Sequence, residues 1–235
     1  MYDAYKHIKA QYVPSDNLAD LSRIYRLRYQ VYCEEKHFIE EGVLHTDGTS
    51  ICGKLEYDEY DKNNSLHFIV LDSTAEEEQQ AIGTVRLVRF SDSNGFPTGK
   101  HHPALYEKIR AYDLTRMAEV SRLCVARRFR KRQDDGLYGV GSYSDGDARR
   151  KYPVVMLTLL REMYKMSLQS GITYWLSSME DCLYRYLKSV SMVFEPLDED
   201  YIEYYGKVKT FIMDIDEAVQ ILGRKRKDLY DYFQG

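Results

Sequence analysis

Residues 117–132 read MAEVSRLCVARRFRKR, and the first half sets a carboxylate, Glu119, and a guanidinium, Arg122, into the alternation of a half-buried strand. A carboxylate held in a strand core can take a proton from a reacting group as a general base, and a guanidinium can brace it or hold an anion. A regular strand sends Glu119 to the face of Ser121 and Leu123, and Arg122 to the other. Both reach one pocket only with a bulge; otherwise Arg122 braces a neighbouring element. The second half is a cationic run, Arg127, Arg128, Arg130, Lys131 and Arg132. Arg149, Arg150 and Lys151 precede a helix expected from Pro153, where the macrodipole disfavours cations unless an anion is held there too. Together these clusters point to a phosphate group or an acidic protein, with a solvated basic loop as the alternative.

Two further charges fall where apolar residues are expected, and a pair of acids stands between them in the sequence. Residues 18–38 have the period of an amphipathic helix capped by Ser15 or Asp16, with Leu18, Leu21, Ile24, Tyr25, Val31 and Tyr32 on one side. Arg28 falls in the middle of that side, either snorkelling to its rim or buried against a carboxylate or a ligand anion. The runs 66–71 and 81–90 read as an antiparallel hairpin, in which Arg86 shares a face with Ile82, Thr84, Val88 and Phe90. In LEYDEYD, Asp58 and Asp61 stand three apart, as a solvated turn or as acids that recognise a cation or an amine. Arg28, Arg86, Glu119 and Arg122 at core positions, with the acid pair, suggest a polar pocket of compensated charges.

The elements that must position these groups form a mixed α/β order. Residues 40–54, 91–113 and 133–147 read as loops, and a helix over 153–169 has Gly171 just past its end. A strand over 172–178 follows, then a helix over 181–190, a strand over 208–215 and a helix over 216–222. A helix between the 117–125 and 172–178 strands calls for a parallel crossover. With no repeat or linker, the chain reads as one domain, 1–235.

Composition excludes several classes. At 44% hydrophobic and 30% charged residues the chain is globular. No run approaches the ~18 apolar residues of a membrane span, and the first residues lack the apolar core of a signal peptide. Four scattered cysteines do not make a disulfide framework, which points to a reducing, cytoplasmic setting. Cys33, His37, His45 and Cys52 do not match a zinc module, so no metal is expected. Gly139-Val140-Gly141 does not complete a dinucleotide fingerprint. Phe129 alone interleaves the basic run and the net charge is −4, so nucleic acid is not expected as a partner.

The blocks RLRYQVYCEEKHF, YDEYD, AIGTVRLV and AEVSRLCV, in this order, resemble those of the autoinducer-synthase-like acyltransferases, a branch of the GNAT superfamily. Within it the chain looks most like the exosortase (PEP-CTERM) system-associated acyltransferases, with N-acyl amino acid synthases as relatives. The resemblance implies a GNAT fold: a central mixed, largely antiparallel sheet with a splayed parallel strand pair, flanked by helices. It implies Glu119, Arg122 and Arg28 as catalytic, and Tyr32, Asp58, Asp61 and Arg86 as the acceptor pocket. On the donor side stand Cys124 and Val125, near whose backbone the carbonyl would be polarised, with Arg127, Arg128, Arg130, Lys131, Arg132, Arg149 and Arg150.

The implied activity moves a fatty acyl group from an acyl carrier protein or CoA thioester to the amine of a small acceptor such as an amino acid, with no bound cofactor. Tyr184 is a candidate to protonate the leaving thiolate. Two departures matter: Lys36-His37-Phe38 stands where autoinducer members carry a tryptophan, which speaks against S-adenosylmethionine as acceptor. The Q/R-x-x-G-x-G/A loop of acetyl-CoA-dependent members is replaced by Arg127-Arg128-Phe129-Arg130, which suits an acidic carrier protein. The alternatives are an acyl-homoserine lactone synthase and a non-catalytic module that binds acyl carriers or nucleic acid.

Overall fold

Nine-residue strands β5 and β6 frame the charged positions in the computed structural model, which describes residues 6–39, 50–62, 64–129 and 154–235. The chain begins with β1 (Ile8–Val13), α1 (Leu18–Tyr29), β2 (Ser50–Cys52), β3 (Leu55–Tyr57), β4 (Ser65–Asp72) and β5 (Ala81–Arg89). It continues with α2 (Leu105–Lys108), β6 (Met117–Val125), α3 (Val154–Gln169), β7 (Tyr174–Met179) and α4 (Asp181–Ser189). It ends with β8 (Glu195–Pro196), β9 (Ile202–Glu203), β10 (Lys207–Asp214), α5 (Ile215–Lys225) and α6 (Lys227–Gln234). The described residues fall into two compact units, one drawn from Met1–Arg86 and Arg122–Met163, the other from Leu87–Ser121 and Tyr164–Gly235.

In the first unit β1, β4, residues Ala81–Arg86 of β5 and Arg122–Val125 of β6 lie side by side. β1 and β4 are antiparallel from Ile8↔Asp72 to Val13↔His67. The β4–β5 hairpin closes with the Asp72 N–H donating to Gln80 O at 2.9 Å. Val13, Leu21, Ile24 and Ile69 make a core cluster under α1. At Gly83 the backbone of β5 runs close to α3: a Cβ there would sit 2.4 Å from Val155 Cγ1.

The helix expected over 18–38 is corrected in two ways. Its cap is Asn17, whose side chain accepts from the Asp20 N–H, while Leu18 in the first turn is exposed. After Tyr29 the backbone widens into a π-helix over Gln30–Glu35, with the Lys36 N–H reaching back five residues to Val31 O. π-turns of this kind add a residue per turn and re-aim the side chains that follow. β1, β2, β3 and α6 are elements that the sequence pattern did not call.

In the second unit β6, β7, β10 and β8 are neighbours in that order, and β9 adds to β10. β6 and β7 are parallel, as the crossover through α3 requires, and the remaining pairs of this unit with a recorded register are antiparallel. The parallel ladder joins Met117, Ala118 and Glu119 to Tyr174, Trp175 and Leu176. β7 continues to Met179 against β10. Gly171, at φ 69, ends α3, and the Ile172 N–H returns to Ser167 O at 2.9 Å. Residues 91–113, expected as loop, instead contain a short turn of helix over Pro97–Lys100 and α2. Their Phe96, Leu105 and Ile109 pack with Met117, Leu176 and Ile212.

Candidate active site

Glu56, the middle residue of β3, connects the charged residues of the first unit into a closed ring. Arg28 Nε donates to Glu56 Oε2, and Glu56 Oε1 accepts from Arg122 Nε at 3.0 Å. Arg122 Nη2 lies 3.1 Å from Asp58 Oδ2. Arg86 meets Asp58 through both Nη atoms at 2.6 Å, and its Nη1 is also 2.6 Å from Asp61 Oδ1. Arg28 closes the circuit on Asp61 with contacts of 2.8 and 3.1 Å. Three guanidinium and three carboxylate groups alternate, so each buried charge has two opposite neighbours. Isolated burial would be prohibitive; paired on both sides, the charges are tolerable.

Local structure explains how the acids come to face inward. Asp58 caps the short turn Glu59–Asp61, accepting from the Tyr60 N–H, while Asp61 accepts from the Asp58 N–H at 2.7 Å. Tyr25, Tyr60 and Tyr32 present their rings to Arg28, Arg86 and Arg122 at 5.4, 5.8 and 5.6 Å. Burial alone would raise Asp61, but Arg28 and Arg86 beside it outweigh that and hold the carboxyl well below the usual range. Burial likewise works against charge on Arg28, yet Asp61 and Glu56 hold it fully protonated; Asp58 and Asp61 do the same for Arg86. His67 sits beside Asp61, and burial pushes its pKa down to about 4.

Arg122 takes φ 52, a left-handed value in the middle of β6. A residue in that region interrupts strict strand alternation, as a bulge does. Arg122 leaves the regular strand conformation at this point and joins the ring through Glu56 and Asp58. Glu119, three residues earlier, takes a different partner in the second unit.

There Glu119 is 1% exposed and accepts from Thr98. The Thr98 N–H lies 2.9 Å from Oε2 and 3.2 Å from Oε1, and its hydroxyl donates to Oε1 at 2.9 Å. Thr98 Oγ1 is 2.8 Å from Ser178 Oγ, which is 3.1 Å from Thr210 Oγ1. Glu119 also ends the parallel ladder, so a fixed carboxylate stands where β6 and β7 stop pairing.

The donor-side positions divide. Cys124 is buried, and burial pushes its thiol up to about 12, which makes it no nucleophile. Val125 ends β6 and is buried, and Tyr32 Oη reaches Leu123 O at 3.5 Å. Arg127 and Arg128 lie on a single turn over Arg127–Phe129 and line a groove of about 800 Å³ with Arg23 and Arg26 of α1. Arg128 is taken up by Gln79, through Nη1 to Oε1 at 2.8 Å and Nη2 to the backbone oxygen. Arg130, Lys131, Arg132, Arg149 and Arg150 lie outside the described residues. Tyr184, on α4, stacks on Phe211 with centroids 4.6 Å apart.

Glu56, Thr98 and Ser178 were not singled out from the sequence. Glu56 carried a usable signal: LEY alternates, and its acid sits two residues before Asp58. Thr98 and Ser178 carried none, because hydroxyl residues do not reveal their burial.

Residues 27–137 match the family model described as acetyltransferase (GNAT) domain. No curated protein matches the chain. Among solved structures it is similar to a CoA-dependent acyl-homoserine lactone synthase, BjaI, at 17% identity and TM-score 0.63, covering 97% of this chain and 90% of that one. It is also similar to the acyl-homoserine lactone synthase LasI, at 13% identity and TM-score 0.57, covering 88% and 89%. A third is FeeM, an N-acyl amino acid synthase from uncultured soil microbes, at 14% identity and TM-score 0.54, covering 92% and 96%. The match places a GNAT acetyltransferase domain over residues 27–137, and the likeness to the solved structures extends the fold over most of the chain. The described residues form a mixed sheet with a parallel pair, β6 and β7, flanked by helices, which is the GNAT fold. No helix among the described residues is long and apolar enough to cross a membrane.

Proposed function

We propose that the chain is an N-acyltransferase that moves a fatty acyl group from a carrier-protein or CoA thioester to the amine of a small acceptor such as an amino acid. The observation that supports this most is the buried Glu119 carboxylate, fixed by Thr98 at the end of the parallel ladder. A pantetheine arm would lie along the strands beyond that point, its amides hydrogen-bonding to their backbone. The amine attacks the thioester carbonyl and Glu119 accepts the amine proton; the C–N bond forms and the C–S bond breaks. The leaving thiolate takes a proton, for which Tyr184 is the candidate donor. The Arg28–Glu56–Arg122–Asp58–Arg86–Asp61 ring is, within the first unit, a rigid, charge-balanced scaffold. Its arginine forks already grip carboxylates of the chain.

Acyl-homoserine lactone synthesis is the second reading, favoured by the similarity to BjaI, which has been solved with SAM and isopentyl-CoA. Purified protein would be incubated with carrier-protein and CoA thioesters and an amine mixture, and products read by mass spectrometry. Acylated amines are expected, with Glu119→Gln lowering kcat by 10²- to 10⁴-fold, on the order expected of a general base. Lactone formed only with S-adenosylmethionine would favour the second reading. No acyl transfer from any donor would leave the non-catalytic carrier-binding module standing.

A further inference from the structure

Thr98 arrives beside Glu119 for a local reason. The turn over Pro97–Lys100 opens with Phe96 at its cap, whose side chain offers no acceptor, so the Thr98 N–H is left unsatisfied by the turn. The Glu119 carboxylate takes that N–H and also the Thr98 hydroxyl. One residue thus fills both carboxylate oxygens from the same side. Thr98 is fully buried, and its carbonyl accepts from the N–H groups of His101 and His102, which fixes the turn.

A hydroxyl has one proton to give. With the Thr98 proton committed to an ionised Glu119, the 2.8 Å contact to Ser178 requires Ser178 to donate to Thr98. Thr210, 3.1 Å further on, must then donate to Ser178. The three hydroxyls are therefore polarised in one direction while Glu119 is charged. Once Glu119 holds a proton, Thr98 no longer has to donate to it, and the Ser178 hydroxyl is released.

We propose that Thr98 is the positioning residue of this site, holding Glu119 ionised and aimed, and passing its protonation state to the Ser178 hydroxyl. This rests on the reading of Glu119 as the base, and it adds what tunes that base. Lys100 and His101 stand on the turn itself, and further charged groups on the adjoining segments pair with one another. His102 Nε2 and Lys108 Nζ both lie 3.1 Å from Asp198 Oδ2, and on β10 Lys209 pairs with Glu199 at 2.9 Å. From β7 and β10 the groups that reach the clamp are the uncharged Ser178 and Thr210 hydroxyls.

The test needs no substrate. The Glu119 carboxyl is titrated by NMR in protein labelled with ¹³C-glutamate, its signal assigned by its loss in Glu119→Gln. Removing the hydroxyl in Thr98→Val should raise the midpoint by roughly one pH unit, since a donor to the charged form is lost. Thr98→Ser, which keeps the hydroxyl, should titrate like the wild type. An unchanged midpoint in Thr98→Val, or equal shifts in both variants, would overturn the proposal. If Thr98→Val does not fold, Ser178→Ala decides. A smaller upward shift supports the polarised chain, and no shift refutes it. In a working assay the acid limb of kcat/KM should move with the same midpoints. A clamp confirmed by NMR in a protein with no acyl transfer would sink the enzymatic reading and leave the clamp intact.

Discussion

Arg28 and Asp61 meet fork to fork, Nη1 on Oδ1 at 2.8 Å and Nη2 on Oδ2 at 3.1 Å, with both side chains out of contact with solvent. Planar pairs of this kind fix orientation as well as charge. Asp61 also serves Arg86, so it is shared between two guanidinium groups. Asp61→Asn should therefore cost about 3–5 kcal/mol of unfolding free energy, the range for breaking a buried pair and leaving its partner uncompensated. Urea unfolding followed by circular dichroism reads this directly. Arg28→Gln combined with Asp61→Asn should lose less than the two single changes added together. Strict additivity would mean that the fork is not the coupling between them.

The neutral His67 predicts a pH dependence with a definite sign. Its pKa falls from 6.5 in the unfolded chain to about 4 in the fold. Between those values the unfolded state binds a proton that the native state refuses, so stability is full above the upper value and declines as pH falls toward the lower. The loss amounts to on the order of 3 kcal/mol across the window. Asp61, held low by Arg28 and Arg86, contributes stability that begins to go only below its ordinary value of 3.8, so the two windows barely overlap. His67→Gln should flatten the stability profile between pH 6.5 and 4 while leaving the more acidic loss in place. A profile that keeps its slope there would assign the dependence to another group.

Much of the fold, and the misplaced charges, were readable in the residues. Arg28 and Arg86 stood out because a guanidinium inside an apolar period is costly, and that cost is visible in a pattern. The parallel crossover followed from one helix between two strands. What escaped had no such signature. Asn17, Ser15 and Asp16 are all good caps, so the choice among them depends on where the chain turns. The passage from α- to π-helix after Tyr29 shifts the hydrogen bonding by one residue without changing any residue preference. Glu56, two residues before Asp58, offered a weaker signature, since a three-residue strand gives alternation little to count. Thr98 sits in a stretch with Pro97 and Gly99 that reads as surface turn, yet it is wholly buried because Glu119 needs its donors.

Arg122 combines a positive φ with two ion-pair partners, and these two properties can be separated by mutation. At an ordinary strand position glycine is less stable than alanine. In the left-handed region a Cβ costs about 1–2 kcal/mol, so the order should reverse. Arg122→Ala and Arg122→Gly both abandon Glu56 and Asp58 and both destabilise. Arg122→Gly should nevertheless be the more stable of the two by about 1 kcal/mol in parallel urea titrations. Alanine equal to or better than glycine would show that the position relaxes to a regular strand when the ring is cut.

The groove beside α1 carries a prediction about the donor. Arg23 is committed to Asp20 at 2.9 Å and Glu77 at 2.8 Å, and Arg128 to Gln79. Arg26 and Arg127 line the same groove and pair with no carboxylate among the described residues. Two solvated cations in a concave surface attract an anionic partner at low ionic strength, and the attraction fades as salt shortens the Debye length. Under the carrier-protein reading, Arg26→Glu with Arg127→Glu should raise KM for an acylated carrier protein about tenfold at low salt, with kcat little changed. The difference should shrink several-fold in half-molar salt, where exposed charges no longer act at a distance. Initial rates against donor concentration at two ionic strengths measure both effects. Because neither residue belongs to the ring or to the Glu119 clamp, a fall in kcat at saturating donor would point to damage of the fold. A KM unaffected at either salt would place the carrier's docking surface elsewhere.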